Sequence, residues 1–500
     1  VCHDRRVDLP DADACYRALR SRDLRFDGRM FVGVMSTGIY CRPVCPARTP
    51  KREHCRFFAS AAAAQEAGFR PCLRCRPETA PGLGAWCGTS ATVARAVTLI
   101  AEGALDGGAA GIEALAERLG VGARQLRRLF HRHLGASPVA VAQTRRVLFA
   151  KQLIQETQMP MTDVALASGF GSLRRFNETF RDLFGRPPSA LRSRRAHQAG
   201  VTLRLRYRPP YDWPAMLAHL AARAVDGVEV VAEGRYRRTV AHEGRLGTVE
   251  VAHEPAQASL VVTIRFPSVR ALPAILARVR RVFDVDADVD AIGAHLAQDP
   301  FLAPLVASRP GLRTPGGWDG FEVAARAVLG QQVTVSAARR LAGRLVALCG
   351  EALSGPSHPG LTHAFPSAER LAAADLGALG VPAARRAALA ALAAATLADG
   401  RLFAPFGSVE AAMTRLRSLA GVGEWTAQYV ALRALRDPDA FPAGDSGLLR
   451  AAAAALGGRP APVTLLRRAE AWRPWRAYAA QHLWAADVEG NSAVREVRHG

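Results

Sequence analysis

The sequence predicts a multidomain chain, mainly α-helical, in which two small α+β modules are set among helical ones. Three observations predict this. The chain has 500 residues, well beyond the ~250–300 that one apolar core usually fills. Close cysteine pairs near the start mark a small module that something other than a large core must hold together. Elsewhere apolar residues recur at three- or four-residue spacing, and strand-like alternation is confined to about 201–266.

The charge balance narrows the partners. Lys+Arg 66 against Asp+Glu 44 leave +22. That excess calls for a polyanion, nucleic acid or an anionic membrane surface, and argues against an ordinary small-molecule enzyme. Part of it is compositional, because the chain is rich in Ala, Arg and Gly and uses Arg almost everywhere in place of Lys. The N-terminal VCHDRRVDLPDADACYR has no apolar signal region. No run of ~18 apolar residues occurs; the nearest, Ala387–Leu397, is too short. A soluble, cytoplasmic, nucleoid-associated protein without a membrane partner is expected, with its cysteines as thiols or metal ligands.

From Val1 to about Gly84, Cys41-x3-Cys45 and Cys72-x2-Cys75 each sit in a turn. This spacing suits one tetrahedral Zn2+ held by Cys41, Cys45, Cys72 and Cys75. Cys2, Cys15, Cys55 and Cys87 read as unligated thiols, although spacing alone does not exclude Cys55. Arg42, Arg48, Lys51, Arg52, Arg70, Arg74 and Arg76 make the surroundings basic. STGIYCRPVC together with GFRPCLRC resembles the N-terminal domain of Ada, the bacterial adaptive-response regulator. The resemblance implies that Cys41 is both a zinc ligand and a nucleophile that takes a methyl group, once, from a methylated DNA phosphate. A purely structural zinc site is the alternative. Zn2+ with four thiolates carries −2, and methylating one leaves −1, which would reduce repulsion from DNA.

From about Ala85 to Ala196 a helix-turn-helix layout occurs twice. Ile112, Leu115, Leu119, Leu126 and Phe130 set the first unit, and Val164, Ala167, Phe170, Phe176 and Phe180 the second. Arginines on each second helix point to duplex DNA. LASGFGSLRRFNETFRDLFGRPPSALR resembles the second half of an AraC-type DNA-binding domain. Arg124, Gln125, Ser172 and Arg174 are the candidate base readers. RNA polymerase enters as a candidate partner of such a regulator. An all-helical bundle with a solvated basic face is the alternative.

From about Gly200 to Ala297, Val201–Tyr207, Gly247–Val251 and Leu260–Phe266 alternate as strands, with helices at Pro214–Val225 and Leu272–Phe283. Asp212 and Pro214 read as a helix start. RPPYDWPAMLAHLAARAVDGVE resembles the N-terminal domain of AlkA-type 3-methyladenine DNA glycosylases, which implies a scaffold.

From about Gln298 to residue 490 the pattern is all-α. LAGVGEWTAQYVALRALRDPDAFPAGD places Gly421 and Gly423 in a tight turn, a helix with Trp425 and Tyr429 after it, and Asp445 in a Pro/Gly loop. Such a turn suits backbone N–H contacts to a phosphate. The stretch resembles the helix-hairpin-helix with its aspartate that defines the AlkA superfamily, and RPWRAYAAQHLW extends the match. The resemblance implies that Asp445 is catalytic, that Trp425, Tyr429 and Trp484 form a base pocket, and that Gln332 fills the gap left by a flipped base. Relatives have an apolar leucine where Gln332 stands, and proline where Ala420 stands. Trp425 occupies the position where strand-cutting relatives carry lysine, so no Schiff base is expected. No iron–sulfur cluster is expected either, since no cysteine follows Cys349, and the absence of a Pro-Cys-His-Arg segment leaves out the second methyl-acceptor domain of Ada. The expected function is therefore excision of alkylated bases fused to a methyl-accepting regulator. The rival is a regulator whose C-terminal half only binds DNA.

Overall fold

The structure, a computed structural model, describes residues 9, 11–80, 89–106, 111–192, 200–354, 358–400, 402–403 and 409–499. Cys2, Cys87, the expected boundary near Gly84 and most of the basic tail after Arg192 lie outside them. The chain packs as two compact units. One runs to Arg208 and adds Gly247–Ala277; the other is Pro209–Leu246 with the residues from Arg278 onward.

The first unit opens with α1 (Ala12–Ser21), whose first N–H groups are capped by the Asp11 carboxylate. A four-stranded sheet follows, in the order β3-β1-β2-β4: β1 (Phe31–Val34), β2 (Ile39–Cys41), β3 (Cys55–Phe58) and β4 (Arg70–Pro71). Gly38, at φ 63°, turns the β1–β2 hairpin. The parallel register sets Tyr40 against Pro71, so Cys41 and Cys72 leave neighbouring strands side by side. Helix α2 (Ala61–Glu66) packs its alanine face beneath.

Six helices carry the paired helix-turn-helix layout: α3 (Thr89–Ala101), α4 (Ile112–Arg118), α5 (Ala123–Leu134), α6 (Pro138–Glu156), α7 (Met161–Ala167) and α8 (Leu173–Phe184). Gly120 (φ 68°) and Gly169 (φ 82°) stand at equivalent turns, where any side chain would be strained. Leu126 and Phe130 close one core with Leu115 and Leu119; Phe176 and Phe180 meet at a tilt in the other. Burial of each such ring stabilises by about 1.5–3 kcal/mol.

Helix α6 ties these modules together through buried charge. Lys151 is fully buried; its Nζ donates to the Cys72 carbonyl at 2.9 Å and to Glu78 at 2.7 Å. Glu156 accepts from Arg76 at 2.7 Å and from the Arg204 N–H at 2.9 Å.

Further on come β5 (Val201–Arg206), α9 (Trp213–Arg223), β6 (Glu229–Ala232), β7 (Arg235–His242), β8 (Arg245–Glu254), β9 (Ser259–Arg265) and α10 (Leu272–Val282). In the first unit β9 runs antiparallel to both β5 and β8, with Val262 opposite Leu203 and Val251. In the second, β6 and β7 form a hairpin through Glu233 and Gly234. The sequence reading does not place this hairpin, because Arg235, Arg237 and Arg238 interrupt its alternation. Arg238 is nevertheless buried, ion-paired to Glu322 at 2.8 Å.

Among its described residues, the rest of the second unit is helical apart from the short pair β10 (Glu351–Ala352) and β11 (His363–Ala364). Its helices are α11 (Val289–Leu296), α12 (Ala303–Ser308), α13 (Gly320–Leu329), α14 (Val335–Cys349), α15 (Ala368–Ala373), α16 (Ala383–Ala398), α17 (Val409–Arg417), α18 (Glu424–Arg433), α19 (Ser446–Leu456), α20 (Pro462–Ala469) and α21 (Arg476–His499). They build two cores. One gathers around α13, α14 and α16, the other around α11, α19 and α21 with Trp472. Helix α18 feeds both: Ala427 and Val430 face the first, Ala431 and Leu432 the second. The face left between them bears Trp425 and Tyr429.

Candidate functional site

The cysteine site is built by two turns and a sheet edge. The sulfurs of Cys41, Cys45, Cys72 and Cys75 all lie within 4.8 Å of one another. Tetrahedral zinc, with Zn–S bonds of about 2.3 Å, needs sulfurs about 3.8 Å apart, so an all-thiolate donor set of this size fits Zn2+. Backbone N–H groups of Arg42 and Arg74 point at Cys75 Sγ (3.3 Å) and Cys72 Sγ (3.4 Å), which favours thiolates. The Arg42 guanidinium is buried in an ion pair with Asp27 and donates to the Cys75 carbonyl at 3.1 Å. Cys45, Cys72 and Cys75 are buried, whereas Cys41 is half-buried. Cys55 belongs elsewhere: it is buried with Cys15, Met30 and Val32.

On the helix-turn-helix surface Arg124 is exposed in the first turn of α5. Arg174 is exposed too, but its head is held by Glu178 at 2.8 Å. Ser172 caps α8 by accepting from the Arg175 N–H, and Gln125 accepts from Arg128 at 2.5 Å. Both are engaged locally.

In the second unit the hairpin joins α17 to α18. Gly421 has φ 78°, and a Cβ there would lie 2.5 Å from the Ala388 Cβ. Gly423 differs: it is extended, with nothing within 4 Å of an added Cβ. Only the first glycine is demanded by the fold. The second leaves open space at the N-terminus of α18, where an anion can approach.

The carboxylate of Asp445 accepts four hydrogen bonds. It caps α19, with Oδ1 accepting from the N–H groups of Gly447 (2.9 Å) and Leu448 (3.1 Å). The Trp484 indole donates to the same oxygen at 2.8 Å. Trp425 Nε1 donates to Oδ2 at 2.9 Å, so Oδ2 keeps spare acceptor capacity. Trp425 and Tyr429, one turn apart on α18, stack with centroids 5.3 Å apart. The structure therefore brings Asp445, Trp425, Tyr429 and Trp484 together. It also gives both tryptophans a use that sequence reading missed, as donors to the carboxylate. Two other acids of the second unit are engaged otherwise: Asp439 pairs with Arg473 and Arg476, and Asp487 is clamped by Arg450.

Gln332 stands exposed at the α13–α14 turn with φ 56°. Its neighbour Gln331, which the sequence reading passed over, binds this turn to the hairpin. Gln331 donates to the Gly421 carbonyl at 2.8 Å and to Thr426 Oγ1 at 3.1 Å, and Arg385 grips its carbonyl at 2.7 Å. Also missed was Arg433, one turn beyond Tyr429, although the i, i+4, i+8 spacing from Trp425 carries the signal.

A thiolate zinc module, paired DNA-binding helices and a helix-hairpin-helix glycosylase fold on one chain define the class, a DNA-binding repair protein with a regulator attached. The comparisons agree module by module. Residues 14–78 match the metal binding domain of Ada, 115–194 a helix-turn-helix domain and 202–319 the AlkA N-terminal domain. A "Probable bifunctional transcriptional activator/DNA repair enzyme AlkA" of Mycobacterium tuberculosis is 45% identical over 95% of this chain and 96% of its own. DNA-3-methyladenine glycosylase 2 of Escherichia coli is 38% identical over 56% of this chain and 95% of its own. The 3-methyladenine DNA glycosylase of Archaeoglobus fulgidus has the same fold across 57% of this chain and 98% of its own, at TM-score 0.51 and 22% identity. The chain belongs to the family of bifunctional transcriptional activator/DNA repair enzymes that join an Ada-type regulator to an AlkA-type glycosylase.

Proposed function

We propose that the second unit is a monofunctional DNA glycosylase for alkylated bases of the 3-methyladenine class. The observation that carries this is the Asp445 carboxylate, fixed by two backbone and two indole N–H donors beside stacked aromatic rings. An N-alkylated purine is cationic and a good leaving group. The enzyme takes it from the stack and holds it against electron-rich rings. Asp445 Oδ2, with acceptor capacity left, offsets positive charge developing at C1′ and orients the water. Gly421, Gly423 and the start of α18 grip backbone phosphate, and Gln332 fills the vacated space. Trp425 offers no amine for a Schiff base, so the product is an abasic site in an intact strand.

In the first unit Cys41, the one ligand of the four that is not fully buried, is the methyl acceptor. Cys41, Cys45, Cys72 and Cys75 would hold Zn2+, which would keep their thiols ionised. The Cys41 sulfur forms a bond to the methyl carbon while the methyl–oxygen bond breaks, and the electron pair stays on the phosphate, now an ordinary diester. Helices α5 and α8 read duplex DNA, with Arg124 and Arg174 the leading base-reading candidates, and RNA polymerase is the partner that an activator would recruit. The four segments 1–84, 85–196, 200–297 and 298–490 are the working division of these tasks.

DNA bearing one 3-methyladenine, incubated with the full chain, tests the reading. Cleavage that appears only after alkali, with no borohydride-trapped adduct, is the expected result. No abasic sites at all would favour a regulator whose second unit merely binds DNA. Methylated DNA should leave one methyl group on Cys41 by mass spectrometry; a methyl group on Cys45, Cys72 or Cys75 instead would overturn that assignment.

A further inference from the structure

One helix of the second unit, α16, touches both loops that the proposed base excision requires. Its Ala388 Cβ would lie 2.5 Å from a Cβ on Gly421, whose φ of 78° bends the hairpin. One turn earlier on the same helix, the Arg385 guanidinium donates to the Gln331 carbonyl at 2.7 Å, at the start of the α13–α14 turn. Residues three apart share a helix face. A single face of α16 therefore seats the hairpin and the turn that carries Gln332.

The two loops are also tied to each other. Gln331 Nε2 donates to the Gly421 carbonyl at 2.8 Å and to Thr426 Oγ1 at 3.1 Å. Thr426 lies in the first turn of α18 and is 2% exposed. One amide thus spans the hairpin bend and the helix whose N-terminus stands open to an anion. Gln331 is held at both ends, by its side chain and by its carbonyl.

Gln332 comes next, exposed and at φ 56°. A residue other than glycine adopts this left-handed conformation at a cost, and keeps it only where its neighbours leave no alternative. On one side stands the doubly held Gln331. On the other, Thr334 caps α14, its hydroxyl accepting from the Ala337 N–H at 3.2 Å. Val333 and Val335 are 37% and 46% exposed. The turn therefore offers one amide beside two apolar side chains, a surface matched to a base edge and the stack around it.

We propose that Gln331 and Arg385 are positioning residues that join the phosphate-gripping hairpin to the Gln332 turn, so that the two enter the duplex as one rigid jaw. This rests on the reading of the second unit as a base-excision enzyme. Neither residue acts on the substrate. Taking a base from the stack costs free energy, least for a base without a pairing partner. A jaw fixed before binding loses none of the phosphate-contact energy to its own ordering, and that energy is left to hold Gln332 in the gap. With the tie cut, the hairpin still meets phosphate and Asp445 still faces the sugar, but Gln332 no longer arrives at a set height. The loss falls on extrusion of the base alone.

The test is single-turnover release by the full chain, at saturating enzyme, from two duplexes. In one, 3-methyladenine faces thymine; in the other, the same strand faces a tetrahydrofuran residue, which has no base to pair. Gln331→Met and Arg385→Met should slow release from the first duplex about tenfold or more and leave the second within about twofold of wild type. Arg385→Lys keeps a donor for the Gln331 carbonyl and should restore the wild-type ratio. Gln332→Ala should reproduce the loss on the paired duplex, and adding Gln331→Met to it should change the rate by less than about twofold, because both variants remove one device. Equal losses on the two duplexes, or losses that multiply in the double variant, would make the pair a brace of the fold and overturn the proposal, as would wild-type rates throughout. Release from neither duplex by wild type would instead defeat the glycosylase reading on which the proposal stands.

Discussion

Asp445 meets two requirements with one carboxylate. As the cap of α19 it satisfies helix N–H groups through Oδ1, and through Oδ2 it faces the Trp425 indole. Hydrogen bonds to a charged acceptor are worth about 1.5–3 kcal/mol each, so the indoles contribute to both its ionisation and its aim. Trp425→Phe keeps an aromatic face but removes the donor on Oδ2. It should lower single-turnover base release by about 10- to 100-fold, the rate equivalent of such a bond, and leave abasic-DNA affinity within a few-fold of wild type. An unchanged rate would show the indole N–H to be irrelevant. The two hairpin glycines should separate in the same way. Gly421→Ala puts a side chain at φ 78° and 2.5 Å from Ala388, which should cost about 1–3 kcal/mol in thermal or denaturant unfolding. Gly423→Ala meets nothing, so it should unfold like wild type and lose DNA affinity through its effect on phosphate approach. The glycine pair was visible in the sequence as one motif. That its members do different jobs was not, because the contact with Ala388 comes from α16, more than thirty residues away.

At the level of elements, the loop from α18 to α19 carries a measurable strain in its charges. Burial raises the Asp437 carboxyl from its usual value to about 6, and the neighbouring carboxylates of Asp439 and Glu410 add to the effect. A folded-state pKa above the unfolded value means that the native state binds more protons between about pH 4 and 6. The associated stability is present below pH 4 and is lost as pH rises to 6. Asp437→Asn, which can still accept the Asp439 N–H, should therefore stabilise the second unit at pH 7 by up to about 3 kcal/mol. It should change little at pH 4, and equal effects at both pH values would contradict the burial argument. Helices α5 and α8 were legible in sequence because each pairs a strong apolar period with a turn glycine, and α18, which feeds two cores, was legible from the glycine pair before it. The β6–β7 hairpin was not, because Arg238 is buried by ion pairs whose partner, Glu322, lies far along the chain. The same limit hid the indole donors: nothing in the spacing of Trp484 tells that α21 returns to Asp445.

On the scale of the whole molecule, each unit holds a reactive centre suited to alkylated DNA, the thiolates in one and the carboxylate with its aromatics in the other. Within the first unit the cysteine module depends on its metal, because a sheet of strands two to four residues long cannot supply a large core and a zinc site contributes folding energy outright. A strong chelator should lower the first unit's unfolding temperature and abolish methyl transfer to Cys41, while base release by the second unit continues unchanged. Loss of both activities would show that the glycosylase depends on the metal-bound module. The cysteine spacing made the zinc site legible at once. The buried Lys151, which joins the Cys72 carbonyl and Glu78 to α6, was not legible, since a lysine on a helix ordinarily reads as solvent-facing. The central claim, that Asp445 makes the second unit an enzyme, is tested most directly by single-turnover release of 3-methyladenine from duplex DNA by wild type and Asp445→Asn. Asparagine caps a helix as well as aspartate does, so the variant should fold and bind abasic DNA normally yet release base at least a thousandfold more slowly; release at the wild-type rate would contradict the account.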